Sequence, residues 1–131
     1  MKFLLDTDTL IYFLKGHKNI VAQITEIPPI NIVTSIINHA ELLSGAYNSL
    51  QKKQNLVKIK LFLEKIEVVP FCKKSSIIFA EQKSLLKRKG NIIADLDLMI
   101  ASIALSQNMT LVTNNVKHFN RIKKLEIINW Y

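Results

Sequence analysis

Residues 92–105 read IIADLDLMIASIAL, in which twelve of fourteen residues suit a packed core and the other two are Asp95 and Asp97. No Lys, Arg or His lies within the stretch to offset the charge. The pattern predicts a helix anchored by apolar faces whose first turn presents acid at a rim. An unpaired carboxylate buried in such a setting is costly, or takes up a proton. Capping answers part of the question. Asp95 at the N-cap of a helix beginning at Leu96, with Asp97 in its first turn, gains roughly 0.3–1 kcal/mol from the helix dipole. Coordination of a cation is the other reading, and the two roles are compatible.

The rest of the chain sets that helix in context. At 131 residues, 49% of them hydrophobic, it predicts one domain with an ample core. MKFLLDTDTLIYFLKG at the N-terminus has the superficial look of a secretion signal, but Asp6 and Asp8 interrupt it and no small-residue cleavage site follows. No apolar run reaches the ~20 residues of a membrane span. The single Cys72 excludes an internal disulfide and a cysteine-rich zinc site. A soluble cytoplasmic protein is expected. The net charge of +8 is uneven: residues 1–51 hold three Lys/Arg against four Asp/Glu, and residues 52–131 hold fifteen against six. Such a surplus favours polyanions through counterion release, although any one lysine cluster can be an ordinary solvated face.

Strand and helix signals alternate along the chain. KFLL (2–5) reads as a strand ending at Asp6, followed by a helix from about Asp8 to Leu14 closed by Gly16. Residues 17–27 predict a short helix stopped by Pro28-Pro29, and NIVT (31–34) a second strand. Ser35 is placed to N-cap a helix carrying Ile36, Ala40, Leu43 and Tyr47. Amphipathic helices are expected over 51–66 and 74–89, with a third strand, EVVPF (67–71), between them. Pro70 marks that strand's end or a sheet edge. TLVT (110–113) and 125–128 supply the fourth and fifth strand candidates, with a turn at Asn114-Asn115. The alternation predicts an α/β domain: a central, mainly parallel sheet of four to five strands with helices on both faces. Ligands of such sheets bind beyond the carboxyl ends of the strands, where Asp6, Thr34 and Thr113-Asn114 fall.

Asp6, Asp8, Glu41, Asp95 and Asp97 are half of the ten acids in the chain, and all sit in apolar sequence. Carboxylates converging on one rim repel, and some then hold protons at pH 7. A hard divalent cation relieves the repulsion and leaves room for phosphate oxygens. An acidic centre with basic margins together suggest a nuclease. With glycine only at 16, 45 and 90, neither a GxGxxG fingerprint nor a P-loop can be written. A phospho-acceptor receiver would need its aspartate where Val69-Pro70-Phe71 stands. His17, His39 and His118 show no triad spacing and read as surface or packing residues, His39 lying two positions before Glu41.

These segments resemble the PIN-domain ribonucleases, specifically VapC-like toxins of type II toxin–antitoxin (VapBC) systems. LLDTDTLIYFL is similar to the family's strand-end aspartate motif, IVTSIINHAELLSGA to its helix-borne glutamate, ADLDLMIASIAL to its most characteristic segment, and LVTNNVKHF with a later INW to its closing one. The resemblance covers the chain almost end to end. It implies a three-layer, Rossmann-like PIN fold over residues 1–131 and Mg2+-dependent (or Mn2+-dependent) endonucleolytic hydrolysis of RNA, tRNA or rRNA. It implies Asp6, Glu41 and Asp97 as the metal-binding, catalytic acids, with Asp95 a fourth ligand or an orienter. Thr113 and Asn114 support them. It further implies a homodimer, a VapB-like antitoxin in a hetero-oligomer, and DNA contact mainly through that antitoxin. Two positions depart from the pattern. Asn115 stands where many members have an acid after the TN pair, and Asp8 stands where Asn or Ser is common. Asp8 is either a compensating acid or a helix cap. The competing reading is a non-cleaving nucleic-acid-binding or assembly module on the same fold.

Overall fold

The computed structural model describes residues 1–131 and places five short strands side by side, all parallel. They are β1 (Phe3–Leu5), β2 (Ile32–Ser35), β3 (Glu67–Val69), β4 (Thr110–Val112) and β5 (Ile127–Ile128), in the order β3-β2-β1-β4-β5. The order reverses between β1 and β4, which creates a crevice at their carboxyl ends. Seven helices accompany the sheet: α1 (Thr7–Leu14), α2 (Lys18–Glu26), α3 (Ile36–Tyr47), α4 (Lys52–Leu63), α5 (Lys73–Arg88), α6 (Asp95–Ser106) and α7 (Val116–Phe119). None of them is long and apolar enough to cross a membrane.

Period-two alternation in the strands builds a core on each face of the sheet. Leu4 pairs with Val33 and Leu111, and all three point into a core that α5, α6 and α7 cover with Leu86, Ile100 and Phe119. Their neighbours Leu5, Ile32 and Val112 point the other way, against Leu10 of α1, Ile20 of α2, Leu42 of α3 and Ile59 of α4. Ile37 at the start of α3 packs against the first core while Leu42 and Ala46 belong to the second, so α3 straddles the edge between them.

α6 is the most enclosed helix, with Leu98, Ile100 to Ala104 and Ser106 all buried. Its two buried hydroxyls satisfy themselves locally. Ser102 Oγ donates to Leu98 O at 2.6 Å, and Ser106 Oγ donates to Ile103 O at 2.7 Å. A buried α6 can therefore carry serines without unpaired polar atoms.

Several boundaries differ from the sequence expectation by one to three residues, as helix and strand ends do. α1 begins at Thr7 because Asp6 itself is the N-cap, its carboxylate accepting from Thr7 N. Ser35 caps α3 as expected, accepting from Asn38 N at 3.1 Å. β3 stops at Val69, before Pro70, and lies at the edge of the sheet. Two elements were not foreseen: the one-turn α7, and a single 3-10 turn at Pro29–Asn31 that starts on a proline.

The central strands carry the packing load. Leu111→Ala, which empties a fully buried site on β4, is expected to lower unfolding free energy by about 2–5 kcal/mol in urea titrations. Leu61→Ala on the outer face of α4, 55% exposed, is expected to stay within about 0.5 kcal/mol of the parent.

Candidate active site

Asp6 stands where β1 ends and α1 begins, at the point where the strand order reverses. Its backbone N–H donates to Val112 O at 2.9 Å, which pins it between β1 and β4. The side chain is 7% exposed and accepts three hydrogen bonds from three parts of the fold. Thr7 N and Asn38 Nδ2 donate to Oδ1, each at 2.9 Å, and Thr113 Oγ1 donates to Oδ2 at 2.7 Å. Burial, with the nearby charge of Asp8, raises its pKa from 3.8 to about 6, against the opposing pull of those donors.

Asp8 and Glu41 join the same network. Asp8 Oδ1 accepts from Thr9 N at 2.6 Å, and Oδ2 accepts from Asn114 N at 3.1 Å and Thr113 Oγ1 at 3.4 Å. Asp8 therefore does not cap α1; it lies in the first turn and reaches across to the end of β4. Glu41 Oε1 accepts from Thr7 Oγ1 at 2.6 Å, and Thr7 Oγ1 accepts in turn from Asn38 Nδ2 at 2.9 Å. One helical turn separates Asn38 from Glu41, so α3 offers both to the rim from one face. Thr113 also accepts from Asn115 N at 3.0 Å, so Asn115 supports the site through its backbone.

α6 brings its acids to different places. Asp97 Oδ2 lies 2.9 Å from His118 Nε2 of α7, the helix that follows the Thr113-Asn114-Asn115 turn. The ring N–H is not aligned with the carboxylate, so the pair is a close polar contact and not a hydrogen bond. Asp95 is the first residue of α6, behind an Ala94 N-cap, and makes no cap bond. It pairs instead with Lys83 of α5 at 3.0 Å on the exposed surface. The capping role open to Asp95 on sequence grounds is thus corrected: the helix starts one residue earlier, leaving its carboxylate beyond the N-cap position.

Thr7, Asn38 and His118 are the site residues that sequence reasoning missed. Asn38 had a signal in its place one turn before Glu41, whereas His39, the neighbour singled out on sequence, makes no hydrogen bond to any of these acids. The acids do not form a ready set of three or more direct ligands. Their chemistry nevertheless suits a hard divalent cation: every donor is an oxygen, and Asp6 carries a charge that burial and Asp8 both oppose. Mg2+ keeps several waters and takes only one or two carboxylates directly. Asp6 and Asp8, with Glu41 in the same hydrogen-bond network, are the residues that would hold it, whereas Asp97 meets His118 and shares no hydrogen bond with them.

Residues 3–125 match the family model described as PIN domain, and the chain belongs to that family. Within it the chain groups with the VapC proteins. Ribonuclease VapC2 of Rickettsia felis is 39% identical over 132 residues, which cover 99% of this chain and 98% of that protein. The Salmonella typhimurium protein named tRNA(fMet)-specific endonuclease VapC is 32% identical over 130 residues, with 99% and 98% covered. Among solved structures, the crystal structure of VapBC2 from Rickettsia felis bound to a DNA fragment from their promoter superposes with a TM-score of 0.93 at 37% identity, over 100% of both chains.

Asp6 yields a pH prediction. Its pKa is raised on folding, so the stability that goes with its proton is complete below about pH 4 and is lost as pH rises through about 6. In EDTA, the parent is expected to lose about 2 kcal/mol relative to Asp6→Asn between pH 4 and pH 7.5, because a tenfold difference in proton affinity between the folded and unfolded chain corresponds to about 1.36 kcal/mol. Urea titrations of both proteins across that range provide the measurement. Parallel curves for the two proteins would show that Asp6 is not strained by its charge.

Proposed function

We propose that this chain is the toxin of a type II toxin–antitoxin pair and acts as a Mg2+-dependent endoribonuclease, with Mn2+ able to substitute. The observation that carries this reading is the arrangement at the sheet's reversal point. A buried Asp6 is held by Thr7, Asn38 and Thr113, with Asp8 and Glu41 in the same hydrogen-bond network. A cation bound there supplies Lewis acidity to a phosphodiester and lowers the pKa of an attacking water.

The protein's own groups prepare that chemistry. Thr7 N and Asn38 occupy Oδ1 of Asp6 and Thr113 donates once to Oδ2, so Oδ2 keeps the lone pair with which Asp6 would bind a cation. Thr7 fixes Glu41, which assists as ligand or as the base that orients water. Asp97 completes the acid set from α6, beside His118 of α7. Asp95, occupied by Lys83, acts on the electrostatics of the approach and not as a ligand. The lysine-rich second half of the chain draws the polyanion. Relatives named ribonuclease and tRNA-specific endonuclease support an RNA substrate, with transfer RNA the favoured class. Their solved neighbours are VapBC complexes, two of them bound to DNA, which supports a VapB-like antitoxin partner. To this we add a homodimer of this chain within the hetero-oligomer and DNA contact mainly through the antitoxin. A cytoplasmic location goes with that partner and substrate.

The purified protein is expected to cut RNA with Mg2+ and to stop in EDTA. Loss of an orienting partner of a ligand typically costs roughly 10- to 100-fold, so Asn38→Ala should lose activity in that range, and Asp6→Asn and Asp97→Asn should abolish Mg2+-dependent cleavage. Mg2+ should also raise the melting temperature of the parent at pH 7.5 but not that of Asp6→Asn. Cleavage at the parent rate by Asp97→Asn would remove that residue from the site. RNA binding without Mg2+-dependent cleavage would favour the non-cleaving module instead.

A further inference from the structure

Three aromatic rings gather at the far end of α1 and play no part in the acid network. Tyr131 stacks on His17 with ring centroids 4.5 Å apart and planes inclined by 26°, and it meets Tyr12 at 4.7 Å. Tyr12 and His17 lie 5.6 Å apart. The backbone at the end of α1 brings the group together. α1 ends in a paired-bond C-cap, Gly16 N donating to Phe13 O at 3.0 Å and His17 N to Tyr12 O at 2.9 Å. Gly16 adopts φ +81°, the left-handed conformation that turns His17 back over Tyr12. His17 Nδ1 is buried with no hydrogen-bond partner, so the ring is held by stacking and by its backbone. Tyr131 itself is 55% exposed, which leaves aromatic surface open to solvent.

This group is tied to the acids by two routes. Tyr12 lies one helical turn beyond Asp8, a rise of about 6 Å along α1. In the other direction Tyr131 N donates to Asn129 Oδ1 at 3.0 Å, Asn129 Nδ2 to Asn114 Oδ1 at 3.1 Å, and Asn114 N to Asp8 Oδ2 at 3.1 Å. Lys15 and Lys18, both exposed, flank His17 in the chain. An open aromatic face backed by two further rings, beside cations and one turn from an acid site, is the environment in which unpaired bases stack.

We propose that Tyr131, supported from beneath by His17 and Tyr12, is a stacking platform for an unpaired base of the RNA next to the cleaved phosphodiester. The platform positions the strand across Asp6 and Asp8 without reading base identity, because every base has a π-face. Its role rests on the ribonuclease reading above, and a test in EDTA separates the two. The probe is a single-stranded oligoribonucleotide carrying 2-aminopurine, whose fluorescence is quenched on stacking.

The full-length parent is expected to bind the probe and quench it. Tyr131→Phe should retain both properties. Tyr131→Ala should bind about 5- to 150-fold more weakly, the range that corresponds to one lost base–aromatic stack, and should lose the quenching. Tyr131→Leu, which keeps apolar bulk over His17, should bind with little quenching. The Mg2+-induced rise in melting temperature should be unchanged in all three variants, since none touches the acids. Binding within twofold of the parent and full quenching by Tyr131→Ala, in a parent that cleaves RNA with Mg2+, would overturn the platform alone. A parent that neither cleaves nor binds RNA would overturn the ribonuclease reading and the platform together.

Discussion

The buried carboxylate of Asp6 is the constraint around which the rest of the site is arranged. β1 lies at the centre of the sheet, paired with β2 on one side and β4 on the other, so the residue that follows Leu5 has little freedom of position. Placing an acid there raises its pKa to about 6, chiefly by burial. Three donors answer it, one from its own helix, one from α3 and one from the turn after β4. One donor is backbone and the other two are short side chains on or directly after regular elements, so the carboxylate is held by groups with little freedom to move. A core built only for stability would place an apolar residue at this position.

Keeping Asp6 in place demands that α1, α3 and β4 meet at one corner, and the two cores make that meeting possible. α3 lends Ile37 to one core and Leu42 to the other, which fixes its rotation and so the direction of Asn38 and Glu41. α6 is locked against the first core along nearly its whole length, leaving only its first turn free to face solvent. Asp97 inherits its position from that burial. The rigid part of each helix lies in a core and the chemical part at its end. Such an arrangement lets the acids approach one another without the backbone giving way.

The fold was legible because its signals were local: β-branched strands, capped helices and alternating apolar residues. The acids at the rim were legible because charge stands out in apolar sequence. What failed to show was the set of relations that only tertiary packing creates. Asn38 and His39 both lie within a turn of Glu41, and only the i, i+3 spacing favours Asn38; the rotation of α3 chooses between them, and Asn38 is the one that donates to Asp6. Thr7 looked like the residue between two acids, yet it bridges Asn38 and Glu41. Asp95 and Asp97, two positions apart, promised a shared task. On a helix two residues are about 200° apart, and the pair parts accordingly, one to Lys83 and one to His118.

The two departures from the family pattern meet at one corner. Asn115 lacks the acid that many PIN domains carry after the TN pair, and Asp8 adds one where Asn or Ser is common. In space these are not separate changes. Asp8 extends from α1 to the end of β4, where Asn114 N and Thr113 Oγ1 donate to Oδ2. A negative charge is therefore present beside Thr113, supplied by a different element. Its anchoring differs too, because Asp8 is gripped by backbone N–H groups at both of its oxygens, from Thr9 and Asn114. A carboxylate satisfied in that way is held more rigidly than one on a surface turn. Its charge also bears directly on Asp6, whose raised pKa owes its second contribution to Asp8. Moving the acid from the turn to α1 thus couples it to the central carboxylate, whose charge it opposes.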